Sequence, residues 1–339
     1  MTAWALLSLL AASPPDGGTT LRIRAVGDVM LGTADPDGYL PPDDGAHLLD
    51  DVKDLLADSD LTFVNLEGPL CDSGASSKCR GKAPGRCFAF RTPTRYVAYL
   101  SVARVGLAST ANNHAGDFGE ECRRQTEKTL DGAGVAWSGP PGTIGSAVVL
   151  GRRVALVSFH ASSSTNDTTD LASARALVKK ARETHDIVIV SFHGGAEGPR
   201  AAHVVKGVER YFGENRGDVM AFAHAVIDAG ASLVLGSGPH VLRALELHRG
   251  HLIAYSLGNF ATYGRFELSG IQHVAAVLEV ELDPAGLFVR GRVLPTMQEG
   301  KGIPKRDPSG QGIRLIQELT RADFPNTTLV PDSDGTLHL

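Results

Sequence analysis

An α/β fold built on a largely parallel sheet is predicted by three features of the chain. Short apolar runs alternate with amphipathic helical segments along most of its length. Glycine, at 39 of 339 residues, gathers where those runs end, as it does at sharp turns. Near the C-terminus, "VAAVLEVEL" and "LFVRGRVL" flank "DPAG" and read as an antiparallel hairpin, so a second, partly antiparallel sheet is expected.

The elements come in this order. "MTAWALLSLLAASPPDGGTT" has an apolar core from Ala3 to Ala12, then two prolines and a Gly/Thr linker. It reads as a secretory signal, although no Lys or Arg precedes the core and no clean A-x-A site is present; a frayed or buried helix is the alternative. Residues 1–19 are therefore expected to be signal and linker, and residues 20–339 a single domain. The apolar runs are "LRIRAV" (21–26), "LTFV" (61–64), "VGLAST" (105–110), "RVALVSF" (153–159), "DIVIVSF" (186–192), "SLVLG" (232–236) and "LIAYSL" (252–257). Helical patterns cover 46–58, 93–105, 119–133, 171–185 and 218–230.

Composition narrows the function classes. A 42% hydrophobic and 21% charged chain is that of a globular protein. With net charge −5 and scattered basic residues, it carries no electrostatic footprint for nucleic acid. Three of its four cysteines, Cys71, Cys79 and Cys87, crowd into a glycine-rich insertion, and Cys122 comes later. An even count beside a signal-like N-terminus reads as two disulfides of undetermined pairing in an extracytoplasmic protein. Zinc is the alternative, but the insertion has neither a C-x-x-C pair nor a histidine.

The residues just past each run carry the chemistry. The runs end in Gly27-Asp28, Asn65-Leu66-Glu67, Asn112-Asn113-His114, His160, His193-Gly194-Gly195, "GSGP" before His240, and Gly258-Asn259. Ligands of open α/β sheets bind beyond the carboxyl ends of the strands. Here those ends offer carboxylates, imidazoles and carboxamides, the donors that bind divalent metals. Alone, each residue has a plain structural explanation, Asp28 as a cap or Asn113 as a loop-shaping amide. Their common placement favours a metal site. His47, His185, His203, His224, His248, His251 and His338 lie on helices, in turns or near the terminus, and read as structural or solvated.

"GDVMLG" (27–32), "NLEGPL" (65–70), "ANNHAGDFG" (111–119), "SFHGGAE" (191–197), "GPHVLRALEL" (238–247) and "IAYSLGNF" (253–260) resemble the CapA-type proteins of bacterial poly-γ-glutamate capsule synthesis. The tail "LTRADFPNTTLVPDSDGTL" (319–337) does so too. The resemblance implies a calcineurin-like metallophosphoesterase fold, a four-layer α/β/β/α sandwich. It also implies site roles: Asp28, Glu67, Asn113, His193 and His240 on metal, and His114 beside the leaving group. The chain departs from that pattern at Met30, where the related enzymes have histidine, and at Ser237, where CapA-like proteins carry a further histidine.

With those two ligands missing, the expected cofactor is one divalent ion, Zn, Mn or Fe, able to lower the pKa of bound water to about 7. His114 is the expected general acid. Arg91, Arg216 and Arg243 are the basic residues expected to meet an anionic polymer such as poly-γ-glutamate. The resemblance further implies membrane synthesis or export machinery as partner. A metal-dependent hydrolase of a phosphoester or γ-glutamyl amide is the alternative function.

Overall fold

The computed structural model describes residues 19–76, 78–81 and 87–339, so the expected signal segment falls almost wholly outside the described residues. The first strands are β1 (Leu21–Met30), β2 (Leu61–Leu66), β3 (Val105–Ser109), β4 (Ala136–Ser138), β5 (Gly145–Val149), β6 (Arg152–His160), β7 (Asn166–Asp167), β8 (Ile187–His193), β9 (Arg210–Tyr211) and β10 (Glu214–Asn215). Beyond them come β11 (Leu233–Ser237), β12 (Leu245–His248), β13 (His251–Ala254), β14 (Asn259–Thr262), β15 (Val274–Leu282), β16 (Phe288–Glu299), β17 (Ile303–Arg306) and β18 (Thr336–Leu337). The α-helices are α1 (Lys53–Ala57), α2 (Val97–Val102), α3 (Gly119–Gly132), α4 (Leu171–Thr184), α5 (Val219–Asp228) and α6 (Gln311–Asp323).

Two sheets stack face to face. One runs β17-β16-β15-β1-β2-β3-β4, with β14 beside β1 and β18 beside β16; the other runs β12-β13-β11-β8-β6-β5, with β7 beside β6. Between them lies an apolar core of Leu21, Ile23, Phe63 and Leu107 from one sheet against Leu156, Ile189 and Leu235 from the other. Runs such as "DIVIVSF" are apolar on consecutive residues because both strand faces are covered. The outer face of the second sheet takes Val178 of α4 and Phe222 of α5. That of the first takes Leu56 of α1, Leu100 of α2 and Leu130 of α3. This is the four-layer α/β/β/α sandwich expected. The hairpin is also found: β15 and β16 pair antiparallel, Val274 opposite Met297 through Leu282 opposite Phe288.

Two stretches differ from the sequence reading. The helix expected over 46–58 narrows to α1, because the preceding residues wind as i→i+3 turns and the Asp51 carbonyl accepts from Arg306 Nε at 2.9 Å. A helix not anticipated, α6, buries Ile313, Ile316 and Leu319 along one face, the three-residue spacing of an amphipathic helix.

Candidate metal site at the strand ends

Strand register assembles the site. Asp28 of β1 lies opposite Asn65 of β2 on one side and Asn259 of β14 on the other. In the second sheet His193 of β8 lies opposite His160 of β6 and Ser237 of β11. The carboxyl ends of both sheets therefore open at one rim. Gly27 is required for this: a Cβ there would lie 2.0 Å from the Gly258 carbonyl oxygen. Beyond β11, Gly238 turns at φ +113° and His240 takes φ 57°, a left-handed conformation that imidazole residues adopt at some cost. That turn brings His240 over Asp28.

Asp28 and Glu67 are both fully buried, yet they are served differently. Asp28 Oδ1 accepts from Asn65 Nδ2 at 2.8 Å, and Oδ2 lies 2.9 Å from His240 Nδ1. Asn259 Oδ1 holds the same His240 nitrogen at 3.0 Å. Glu67 has no hydrogen-bond partner on either oxygen among the described residues. Around its Oε1 stand three imidazole Nε2 atoms, His114 at 3.7 Å, His193 at 3.8 Å and His240 at 3.8 Å. His193 Nε2 and Asn113 Oδ1 are likewise buried without a partner among those residues.

Burial and the neighbouring Asp28 push the Glu67 carboxyl well above its usual range. Burial pushes His193 well down, helped by His160 and His240. Burial also opposes charge on His240, but the Glu67 and Asp28 carboxylates outweigh it and raise that imidazole to about 9. An unpartnered buried carboxylate costs a few kcal/mol or more. A cation among these atoms removes that cost. Donors each about 2.1 Å from one tetrahedral ion lie about 3.4 Å apart, close to the spacing around Glu67. The mixed oxygen and nitrogen set thus fits a divalent ion, and donor atoms of Asp28, Glu67 and His240 lie within 4.8 Å of one another.

His114 forms the adjoining wall. Its Nδ1 lies 2.6 Å from Asp117 Oδ2, and Lys78 Nζ contacts the same nitrogen at 3.2 Å and pairs with Asp117. Burial lowers His114 to about 4 despite Asp117, so at neutral pH it is an uncharged imidazole. Phe90 stacks on its ring at 4.1 Å, and Phe266 packs on Phe90 and edge-on to His240. The cysteine insertion supplies this wall: Cys71 is bonded to Cys122 of α3, and Cys79 to Cys87 beside Lys78.

Several residues stand apart from the sequence reading. Arg243 is fully buried, pairing through Nη2 with Glu209 at 2.7 Å and donating to the Ala201 and Ala196 carbonyls. Buried and bonded through all three guanidinium nitrogens inside the fold, it reaches no substrate, contrary to expectation. Arg216 is also buried, paired with Glu197. Arg91 is 24% exposed, 3.8 Å from Asp35 and over the Phe118 ring at 5.1 Å. Met30 is buried, with Sδ 3.3 Å from the Gly32 amide. His160 holds the His193 carbonyl at 2.8 Å through Nδ1. Asn65 and Asn259, strand-end residues to which the sequence assigns no role, orient Asp28 and His240. Asp117, three residues after His114, and Lys78 belong to the site without any signal at the strand ends.

The family described as bacterial capsule synthesis protein PGA_cap matches residues 22–263. The PGA biosynthesis protein CapA of Bacillus subtilis strain 168 is 27% identical over 320 residues, covering 89% of this chain and 78% of that protein. The capsule biosynthesis protein CapA of Bacillus anthracis is 24% identical over 322 residues, covering 89% and 73%. Among solved structures, a 5′-nucleotidase precursor from Thermus thermophilus aligns with a TM-score of 0.44 at 12% identity. That alignment covers 82% of this chain and 54% of the nucleotidase.

Proposed function

The chain belongs to the bacterial capsule synthesis protein family PGA_cap, and from that membership we propose that it serves the synthesis or export of an anionic cell-surface polymer such as poly-γ-glutamate, outside the cytoplasm, through a metal-dependent site at the strand ends. One observation carries the metal: Glu67, buried and without a donor, ringed by three imidazole Nε2 atoms. Asp28, Glu67, Asn113, His193 and His240 would hold a single Zn, Mn or Fe ion. When bound, that ion supplies Lewis acidity enough to bring the pKa of water to about 7.

The second reading, hydrolysis of a phosphoester or γ-glutamyl amide, is favoured by the His114–Asp117 pair. Asp117 holds the proton on Nδ1 and leaves the Nε2 lone pair facing the site. An imidazole lowered to about 4 enters the reaction as an acceptor rather than as the acid expected from the sequence. It takes a proton at Nε2 from the attacking water, is steadied in its charged form by Asp117, and passes that proton to the leaving group as its bond breaks. Asp28 and Asn259 fix His240 through Nδ1, which turns its Nε2 inward. Phe90 and Phe266 shield the imidazoles from water, and Arg91, next in the chain to Phe90, remains the basic residue proposed to meet a polyanion.

Elemental analysis of the full chain beside His193→Ala tests the site. About one more metal ion per chain in the parent than in the variant is expected; equal metal content in both overturns the reading. Chelator-sensitive cleavage of phosphoester or γ-glutamyl probes, abolished in His114→Ala, separates hydrolysis from a binding role.

A further inference from the structure

A second cluster of metal-binding side chains lies far from the rim. His224 sits on α5, which packs on the outer face of the second sheet. Glu246 and His248 are two apart on edge strand β12, so they share a face, the one that Ala244 turns toward α5. His248 lies opposite His251, where β13 begins. That is the end of the sheet opposite to His193, which closes β8, because β8, β11 and β13 run parallel. The cluster is therefore independent of the site at the strand ends.

Its geometry asks for more than an ion pair. His224 Nε2 meets both Glu246 oxygens, at 3.0 and 2.9 Å, and Tyr255 donates its hydroxyl to Oε2 at 2.6 Å. Those bonds account for His224 and Glu246 but not for His248. The His248 ring stacks on His224 with centroids 4.1 Å apart and planes 8° from parallel. Its Nε2 is buried and has no hydrogen-bond partner among the described residues. The nearest carboxylate is Asp228 Oδ1 at 3.5 Å, itself engaged by Arg249 Nε at 3.1 Å. One donor atom from each of His224, Glu246 and His248 lies within 4.8 Å of the other two.

We infer that His224, Glu246 and His248 form a second, separate site for a divalent transition metal of the zinc class. Two imidazoles and one carboxylate are a zinc-type donor set, whereas calcium and magnesium take oxygen. The ion replaces the proton shared by His224 and Glu246 and gives the idle His248 nitrogen a partner. Tyr255 then holds Glu246 from behind, as outer hydrogen bonds hold carboxylate ligands. All three side chains are half-buried, so water completes the coordination. The consequence is mechanical: the ion ties α5 to the edge strand, and its binding stabilises the folded chain.

The test uses the full chain carrying His193→Ala, which takes the strand-end site out of the count. Zinc chloride is titrated by calorimetry, and the thermal midpoint is read with zinc and with chelator. About one zinc per chain and a zinc-dependent rise in midpoint are expected. Both should vanish in His193→Ala/His248→Ala, while its midpoint in chelator stays with that of the single variant. Glu246→Gln, which keeps the shape, decides the matter should the histidine variant melt early. Undiminished zinc binding in a folded His248→Ala or Glu246→Gln chain, or no zinc binding in the His193→Ala chain, overturns the inference. Failure of the strand-end reading would show instead in the parent against His193→Ala.

Discussion

Glu67 at the rim and the paired charges of the interior are buried to similar degrees and served in opposite ways. Glu67 has no donor on either oxygen among the described residues, and burial with Asp28 nearby holds its carboxyl high. Glu209 accepts from Arg243 on both oxygens, at 2.9 and 2.7 Å, and from the Ala196 amide at 2.9 Å. Asp307 accepts from the Ser309 amide and hydroxyl and from the Gln311 amide. Buried polar groups that exist for stability are saturated from within the chain. Glu67, the one carboxylate among the described residues that is buried without a partner, is left to meet something the chain does not supply. The contrast sets Glu67 apart from the other buried carboxylates without reference to any relative.

The largest effect should come from breaking a saturated pair. Glu209→Ala leaves the Arg243 guanidinium buried without its carboxylate, a change that costs about 3–5 kcal/mol. It also frees the loop after His193, because the same carboxylate holds the Ala196 amide and Arg243 holds the Ala196 carbonyl. Chemical denaturation should show a midpoint well below the parent at unchanged slope. A loss under about 1 kcal/mol would mean that the pair does not support the fold as its geometry requires.

Glu67→Gln should do the reverse. The ion-free variant is expected to be no less stable than the ion-free parent, since an unserved charge is replaced by a neutral amide. Its metal affinity should fall by about 100-fold or more, beyond what loss of an outer hydrogen bond causes. Denaturation in chelator and a metal titration check the two halves. A variant that keeps its metal, or that loses stability as Glu209→Ala does, would place Glu67 among the scaffold carboxylates.

The same contrast explains which features are legible in the chain alone. Strand-end chemistry is legible because apolar runs mark the strands and the residue after each run is fixed to the rim. Glu67 and His193 need nothing more. Arg243 defeats the reading because its partner lies 34 residues away, and direction inward or outward is not written in "HVLR". His224 and His248 read as structural or solvated for the same reason: α5 and β12 meet only in the folded chain. The disulfide pairing, Cys71 with Cys122 and Cys79 with Cys87, depends likewise on the insertion lying against α3. Local pattern marks strands and their ends; long-range pairing decides which polar groups are closed and which are open. Helix α6 is a different miss, since Ile313, Ile316 and Leu319 carry the helical period in plain sequence.

Asp307 gives the smallest effect and the most direct reading of saturation. Burial opposes its charge, but the Ser309 hydroxyl and the amides of Gln311, Ser309 and Gly312 outweigh it and hold the carboxyl below its usual range. A carboxyl depressed on folding stabilises the native state above its unfolded value, near 3.9, and that contribution fades as pH falls through the lower folded value. Asp307→Asn keeps the shape and removes the charge at the start of α6, where partial positive charge gathers. At pH 7 the variant should be about 1 kcal/mol less stable than the parent. Below about pH 4 the two denaturation midpoints should converge, because the parent carboxylate is then being protonated. A gap that stays constant from about pH 7 to about pH 3, across the whole carboxylate titration range, would assign the loss to packing of the Asn side chain rather than to the saturated carboxylate.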